Sequence, residues 1–220
     1  MSKVAIIAGS SGLIGHELLK QLCDDPLYEK VITLVRQASG FHHKKVSEII
    51  IRFDQPETFE SSLAGDVLFS CLGSTRRKTP DRNQYYKIDH DYPLKLATIA
   101  HQNGITQMHI ISSLGANERS GNFYLKMKGE TERDIAAIPF RSVHIYRPSF
   151  LDGNRKEKRL LEKAGLKVFA VIRPLLRGKL KKYRSISAKV VARAMIRNAS
   201  DSTTGINIYE SDTIQDIGSL

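Results

Sequence analysis

Short apolar runs alternate with amphipathic stretches along much of the chain. Seven runs rich in β-branched and other apolar residues predict buried strands: Val4–Ala8, Val31–Val35, Ser47–Phe53, Val67–Leu72, Met108–Ser113, Ser142–Tyr146 and Ile206–Tyr209. Four stretches with apolar residues at helical spacing predict helices: Leu13–Leu22, Asn83–Asn103, Phe123–Ile138 and Ser187–Ala199. Strands that alternate with helices in this way are typical of an α/β protein.

The predicted strands are almost unbroken apolar runs, without an alternation of apolar and polar residues. Such strands are buried on both faces, as in a parallel sheet that helices cover on both sides. No internal repeat or low-complexity linker divides the chain, so we expect one doubly wound domain over residues 1–220. An irregular segment at about residues 151–184 is expected to lie over the carboxyl edge of the sheet, where open α/β sheets bind their ligands.

A glycine-rich turn, Gly9-x-x-Gly12-x-x-Gly15, joins the first predicted strand to the first predicted helix. The first glycine allows a tight turn, the second lets the backbone approach a pyrophosphate, and the third lets the helix pack closely on the strand. Backbone N–H groups and the dipole at the helix N-terminus then attract the phosphates. The pattern predicts a Rossmann-type dinucleotide site with contacts from Gly9, Ser10, Ser11, Gly12, Leu13, Ile14 and Gly15.

The residue after the second strand bears on the choice of dinucleotide. An acidic residue near this point usually holds the ribose of NAD(H), but this chain has Arg36 there. A guanidinium can pair with the 2′-phosphate of NADP(H) and stack on adenine, so we expect NADP(H) in preference to NAD(H). Leu72 and Gly73 follow the fourth strand and are expected to contact the same cofactor, because a glycine lets the loop pass close to it.

Two serines and a Tyr-x-x-x-Lys pair form a candidate catalytic group. Ser112 and Ser113 end the fifth predicted strand, and Tyr124 and Lys128 lie four residues apart on one face of the next helix. A neighbouring ammonium favours the phenolate form of a tyrosine, which can then exchange the proton that accompanies hydride transfer at a carbonyl carbon. One serine would hold the carbonyl oxygen, and we favour Ser113 because the later residue should reach further into the site.

With these motifs the chain resembles the short-chain dehydrogenase/reductase superfamily, and within it the atypical branch of Tat-interacting-protein-type oxidoreductases and their bacterial relatives. The resemblance covers essentially the whole length, and its most specific motif is the segment 122–130, which ends Lys-Gly-Glu. Its other motifs are residues 9–15, 71–76, 89–95, 112–116 and 146–148. The resemblance implies Tyr124 as the proton donor or acceptor. It also implies NADP(H) binding at Ser10–Ile14, Arg36, Leu72, Gly73, Tyr124, Lys128, Leu151 and Arg159.

The resulting prediction is an NADP(H)-dependent oxidoreductase that acts on an unidentified carbonyl or alcohol substrate. The alternative is a cofactor-binding sensor or regulator with little turnover, since some members of this branch act mainly through partner proteins. Asp89 departs from the superfamily pattern, in which many members carry asparagine. Compared with the superfamily pattern, aspartate at this position is expected to weaken a water relay to Lys128.

Most of the net charge of +11 lies in one segment. Residues 155–184 contain twelve Lys or Arg against two Glu, a net charge of +10. Apolar residues are interleaved with these cations, which suits a solvated lid, an oligomer contact, a contact with an acidic partner or an anionic membrane surface. Nucleic acid is disfavoured, because the segment offers only Phe169 and Tyr183 for base stacking and matches no nucleic-acid motif.

Apolar runs, cysteines and histidines bear on the cellular compartment and on metal binding. No run approaches the ~20 apolar residues that a bilayer requires, and Val4–Ala8 is too short for the core of a signal peptide. Cys23 and Cys71 lack metal or redox spacing and are expected to be reduced core thiols. His42 and His43 have no third ligand at recognisable spacing, so no metal is expected. A cytoplasmic protein is predicted.

Overall fold

The computed structural model describes residues 2–152 and 178–220. Its strands are β1 (Lys3–Ala8), β2 (Tyr28–Val35), β3 (Val46–Ile50), β4 (Val67–Ser70), β5 (Gln107–Ile111), β6 (Ser142–Arg147), β7 (Leu151–Asp152), β8 (Ile186–Ser187) and β9 (Gly205–Glu210). Its helices are α1 (Leu13–Asp24), α2 (Arg82–Tyr86), α3 (Tyr92–Gln102), α4 (Phe123–Ala136), α5 (Ala188–Ser200) and α6 (Ser211–Ser219). A π-helical segment, Lys87–Asp91, joins α2 to α3. No helix in the described ranges is long and apolar enough to cross a membrane.

Seven strands form one sheet in the order β3-β2-β1-β4-β5-β6-β9. Every adjacent pair of these strands is parallel. The chain moves outward from β1 to β3 and then returns to β4 on the other side of β1. In open α/β sheets, the crevice at such a reversal is where the ligand binds. The predicted doubly wound, mostly parallel α/β fold is confirmed.

Both faces of the sheet are covered, because successive residues of a strand point to opposite faces. One face carries Ile7 and packs against α1 and α5 through residues such as Leu18 and Met195. The other face carries Ile6 and packs against α3 and α4 through residues such as Leu96. Ile6 and Ile7 are both fully buried. This two-sided burial is the physical reason for the unbroken apolar runs.

Three strands end before the apolar runs that predicted them. β3, β4 and β5 end at Ile50, Ser70 and Ile111, two or three residues short of the predicted ends. Ile51 and Phe53 are nevertheless buried, because loop residues at the edge of the sheet pack on the same core as the strands. An apolar run therefore marks burial more closely than it marks strand pairing.

The helix α6 and the pair β7–β8 lie outside the predicted elements. In β7–β8, Leu151 pairs with Ile186, and a pairing of two-residue strands leaves no pattern in the sequence. In α6, an added Cβ on Gly218 would lie 2.2 Å from the carbonyl oxygen of Val190 on α5. Gly218 therefore lets α6 pack closely on α5.

A pair of histidines is enclosed in the core. His109 on β5 and His144 on β6 are fully buried, and the centroids of their parallel rings are 4.3 Å apart. Their Nδ1 atoms hydrogen-bond the hydroxyls of Tyr146 and Tyr209, each at 3.0 Å. Burial lowers the pKa of His109 well below 6.5 and the pKa of His144 to about 4. Both imidazoles are therefore neutral in the folded protein near pH 7.

We expect the free energy of unfolding to fall as the pH drops from about 6.5 to about 5. In this range the unfolded chain protonates these histidines and the folded protein does not, so acid favours the unfolded state. The expected loss is about 1.4 kcal/mol per pH unit for each histidine. Urea unfolding across this range measures it: His144→Gln should reduce the slope, and the exposed His42→Gln should not. Equal slopes in all three proteins would contradict the prediction.

Candidate active site

The glycine turn lies where β1 ends, against the end of β4. Gly9 has φ +87°, a left-handed conformation that favours glycine. A Cβ on Gly9 would lie 2.6 Å from the carbonyl oxygen of Cys71, closer than real contacts allow. The Gly12 N–H donates to the Gly9 carbonyl at 3.0 Å and closes the turn. Position 9 therefore requires glycine both for its backbone conformation and for its contact with the end of β4.

The first turn of α1 is open to an external acceptor. Gly12 is the N-cap of α1, and no side chain in the described part of the chain caps the helix, so among these residues its first N–H groups lack the usual side-chain partner. A Cβ on Gly15 would lie 2.2 Å from the Gly9 carbonyl oxygen, so the helix packs this closely only with glycine there. An uncapped helix N-terminus behind a glycine turn fits the pyrophosphate of a dinucleotide.

The residues of this turn differ in exposure. Ser11 and Gly12 are exposed, Leu13 is half-buried, and Ser10 and Ile14 are buried. Backbone N–H groups hold phosphates at such turns. The exposed residues Ser11 and Gly12 are therefore the part of the glycine turn that a phosphate can reach.

Arg36 follows β2 directly and is exposed. Among the described residues it has no hydrogen-bond or ion-pair partner. Three residues later, Ser39 donates from its N–H and its hydroxyl to the Glu48 carboxylate on β3. This contact ties down the loop after β2, while the Arg36 guanidinium remains at the carboxyl edge of the sheet.

The loop after β4 reaches the same edge. Leu72 is half-buried and packs against the core, whereas Gly73 is exposed. The preceding carbonyl, that of Cys71, is the group that faces Gly9. The structure therefore brings Leu72 and Gly73 close to the glycine turn.

Lys128 is a buried cation, with 4% of its surface exposed. Its Nζ lies 3.1 Å from Oδ1 of the buried Asp89 and 3.4 Å from the carbonyl oxygen of Ile111, where β5 ends. The second carboxylate oxygen of Asp89 accepts from the Ser74 N–H at 2.7 Å. Asp89 therefore links the lysine of α4 to the loop after β4.

The charge on Lys128 is maintained by its neighbours. Burial alone lowers the pKa of an ammonium, but the charge of Asp89, the Tyr124 phenol, the hydrogen bond to Asp89 and the charge of Glu132 outweigh burial. Together they raise the pKa of Lys128. Lys128 is therefore a fixed positive charge near neutral pH.

Tyr124 lies in the first turn of α4 and is half-buried. The Asn122 side chain accepts from its backbone N–H at 3.0 Å, so the helix begins directly before it. One turn later, Lys128 lies on the same helix face. The ring of Tyr85 on α2 is nearly parallel to that of Tyr124, with centroids 6.3 Å apart. The helix cap and this aromatic neighbour together position Tyr124.

Ser112 and Ser113 both follow β5, but their hydroxyls differ. Ser112 is buried, and its Oγ donates to the Glu132 carboxylate on α4. Arg147, at the end of β6, donates two hydrogen bonds to the same carboxylate, one from Nε to Oε1 at 2.9 Å. Ser113 is half-buried, and within residues 2–152 and 178–220 its hydroxyl makes only a long contact of 3.5 Å with the Leu114 carbonyl oxygen. Ser112 is committed to an internal network, and Ser113 has the more available hydroxyl.

Sequence reasoning missed Glu132 and Tyr85 at this site. Glu132 lies four residues after Lys128, so helical spacing alone could have placed it on the same face. Its partner Arg147 comes from another strand, and no local pattern connects the two. Tyr85 falls within the long helix that the sequence predicts over residues 83–103, and its contact with Tyr124 appears only in the folded chain.

Two predicted cofactor contacts belong to the segment 151–184. Leu151 is half-buried and pairs with Ile186 in β7–β8. Arg159 lies outside the described residues, as do most cations of the segment. In the part described from residue 178 onward, Lys182 lies 2.8 Å from the Glu210 carboxylate.

Known proteins are similar to this chain in sequence over most of its length. The NAD(P)H-binding family matches residues 9–202. HTATIP2 from Rattus norvegicus is 30% identical over 222 residues, which cover 99% of this chain and 90% of that protein. FMP52 from Candida glabrata is 36% identical over 162 residues, which cover 71% of this chain and 68% of that protein.

Solved structures share the fold at low sequence identity. Bordetella bronchiseptica WbmH in complex with NAD+ has a TM-score of 0.72 and 14% identity, over 100% of this chain and 80% of that one. MoeE5 in complex with UDP-glucose and NAD has a TM-score of 0.69 and 16% identity, over 98% of this chain and 80% of that one. At this level of identity, the likeness establishes the shared fold.

The prediction of a purely cytoplasmic location is wrong. The related fungal FMP52 proteins are mitochondrial by name. Apolar runs detect secretory signals and membrane spans, whereas mitochondrial signals are amphipathic and Arg-rich. Short apolar runs therefore do not decide between cytoplasm and mitochondrion.

The predicted resemblance is confirmed by the match over most of the chain and by the full-length similarity to HTATIP2. The chain belongs to the NAD(P)H-binding family, and within the short-chain dehydrogenase/reductase superfamily to the atypical branch that contains HTATIP2 and FMP52.

Proposed function

We propose that this protein is an NADP(H)-dependent oxidoreductase that interconverts a carbonyl compound and the corresponding alcohol. The observation that carries the proposal is the position of Lys128. It is buried and charged, lies one helical turn from Tyr124, and is bonded to the end of β5 just before the two serines. A buried ammonium beside a tyrosine, at the carboxyl edge of a dinucleotide-binding sheet, suits proton exchange with a carbonyl oxygen.

One group of residues is assigned to cofactor binding, and a second group is assigned to proton transfer. The turn from Gly9 to Gly15 would hold the pyrophosphate, Arg36 the 2′-phosphate, and Leu72 and Gly73 the adenosine side, with Leu151 as a further contact. The nicotinamide supplies or takes up the hydride when it is bound. The open N–H groups of α1 and the exposed guanidinium at the same sheet edge support the first two assignments, and the closeness of residues 72–73 to the glycine turn supports the third. Leu151 is assigned from the resemblance.

The proton chemistry belongs to four side chains. In reduction, the Tyr124 hydroxyl gives its proton to the carbonyl oxygen, and in oxidation it takes the proton back. The positive charge of Lys128 stabilises the phenolate that remains, and Asp89 keeps this charge in place. The Ser113 hydroxyl donates a hydrogen bond to the substrate oxygen, since Ser112 donates to Glu132.

Purified protein mixed with NADPH and a panel of aldehydes and ketones tests the proposal. Carbonyl-dependent loss of NADPH absorbance, with formation of the alcohol, is the expected result. The competing function, a cofactor-binding regulator with little turnover, predicts tight NADPH binding and no NADPH consumption with any compound of the panel. That outcome would overturn the oxidoreductase assignment and leave cofactor binding intact.

Replacing Arg36 with glutamine is expected to weaken NADPH binding by about 10- to 100-fold, the value of a charge-assisted hydrogen bond. Binding of NADH, which has no 2′-phosphate, should change little. Calorimetric titration of both cofactors measures the difference, and the control is Lys30→Gln, at an exposed position on β2, the strand that Arg36 follows. A wild-type protein that binds NADH as tightly as NADPH would contradict the preference for NADP(H).

A further inference from the structure

We propose that the substrate carries a carboxylate or phosphate group, held by a basic rim formed by Arg76, Lys78 and Arg82. The inference rests on the proposed carbonyl chemistry at Tyr124 and adds the substrate class to it. All three residues of the basic rim are exposed, and they lie in the loop after β4 and at the start of α2. They therefore belong to the carboxyl edge of the sheet, where α/β proteins bind ligands.

The loop that carries Arg76 and Lys78 is ordered by its own hydrogen bonds. The N–H groups of Lys78 and Thr79 both donate to the Thr75 carbonyl, at 2.8 and 2.9 Å. The hydroxyls of Ser74 and Thr79 lie 2.6 Å apart, and the Ser74 N–H donates to Asp89. Because Asp89 also holds Lys128, the loop and the proposed catalytic lysine share one anchor. An anion at the basic rim would thus be held at a fixed place relative to the reacting tyrosine.

Arg82 connects the basic rim to the reaction centre. Its guanidinium lies 5.5 Å from the centroid of the Phe123 ring, and Phe123 precedes Tyr124. One turn further along α2, the Tyr85 ring lies against that of Tyr124. A guanidinium that rests on an aromatic ring keeps its planar donors oriented for bidentate pairing with a carboxylate or phosphate.

The basic rim lacks acidic partners, although acids lie nearby. Within the described ranges, Arg76, Lys78 and Arg82 form no ion pair. The neighbouring carboxylates already have partners: Asp81 accepts from the Gln84 N–H, Asp89 pairs with Lys128, Glu130 with Lys126, and Glu132 with Arg147. A backbone N–H does not neutralise the Asp81 carboxylate, but the three cations of the rim outnumber it, so the rim remains positive and attracts anions to the mouth of the site.

The basic rim is separate from the residue that we assign to the 2′-phosphate. Arg36 follows β2, and the rim follows β4, with β1 between these two strands. Neighbouring strands are about 4.8 Å apart, so the two strand ends are roughly 10 Å from each other. The cofactor phosphate and the anionic group of the substrate thus have separate positive groups.

Anion binding by cofactor-loaded protein tests the basic rim without the need for turnover. The protein is saturated with NADP+, so that the cofactor's phosphate sites are filled, and is titrated with inorganic phosphate or with succinate at constant ionic strength. We expect saturable binding that is at least tenfold weaker in Arg76→Gln/Arg82→Gln. Arg141→Gln, an exposed arginine just before β6 at the opposite edge of the sheet, should bind as the wild type does. Tighter binding of phosphate identifies a phosphoryl group, and tighter binding of succinate identifies a carboxylate.

Three results would overturn the inference. These are the absence of saturable binding of either anion, an equal loss in Arg141→Gln, and a loss of NADP+ affinity in the double variant, which would assign the rim to the cofactor. The Tyr124→Phe protein is titrated in parallel and should bind the anions as the wild type does. Anion binding does not need turnover, so the two results can be judged separately. Anion binding without NADPH consumption would contradict the oxidoreductase function but would still support the basic rim as an anion site.

Discussion

Replacing Tyr124 with phenylalanine is expected to reduce turnover by about 10²- to 10⁴-fold, the range that one general acid–base group contributes. The substitution removes only the hydroxyl. It keeps the ring against Tyr85 and the helix cap at Asn122, so the fold and the glycine turn should be unchanged. Steady-state rates of NADPH oxidation, together with calorimetric NADPH affinity, measure the two effects separately.

Tyr85→Phe is the matched control for this prediction. Tyr85 lies against Tyr124, and burial, with the charge of Asp89 and the neighbouring phenol, raises the pKa of its hydroxyl. The Tyr85 hydroxyl is therefore a poorer proton donor at neutral pH than an ordinary tyrosine. Its loss should reduce the rate much less than Tyr124→Phe does. If Tyr124→Phe retained wild-type turnover, or if both variants lost activity equally, the proposed role of Tyr124 would be wrong.

Replacing Lys128 with methionine is expected to destabilise the protein by about 3–5 kcal/mol, because an unpaired charge remains buried. The Asp89 carboxylate is 1% exposed and would lose its cation at 3.1 Å. Such a loss is a large fraction of the stability of a typical domain. The free energy of unfolding in urea, followed by circular dichroism, measures it.

A second substitution separates this electrostatic effect from simple loss of packing. In Lys128→Met/Asp89→Asn the buried negative charge is gone, and the asparagine oxygen can still accept from the Ser74 N–H. Most of the lost stability should therefore return, although turnover should not. Lys126→Met, at a half-exposed lysine 3.9 Å from Glu130, should cost at most about 1 kcal/mol. If the double variant were no more stable than Lys128→Met, the lost stability would not come from the buried charge.

Much of the fold was predictable from local patterns. Ile6 and Ile7 face opposite cores, so two neighbouring residues are both apolar. A parallel sheet that is covered on both faces is therefore visible in the sequence as unbroken apolar runs. The roles of Gly9 and Gly15 are likewise predictable from the motif, because only glycine fits the contacts that these positions make. The spacing of Tyr124 and Lys128 indicates one helix face without any knowledge of the fold.

What the sequence determines by itself is therefore the order of the strands and helices, the glycine cradle at Gly9–Gly15, and the shared face of Tyr124 and Lys128. The tertiary structure alone decides that Lys128 pairs with Asp89, that Ser112 donates to Glu132, and that Arg82 lies over the ring of Phe123, the residue before Tyr124. Spacing along one helix or strand is a local property. Ion pairs and hydrogen bonds between distant segments exist only after the parallel sheet has brought the carboxyl ends of its strands to one edge.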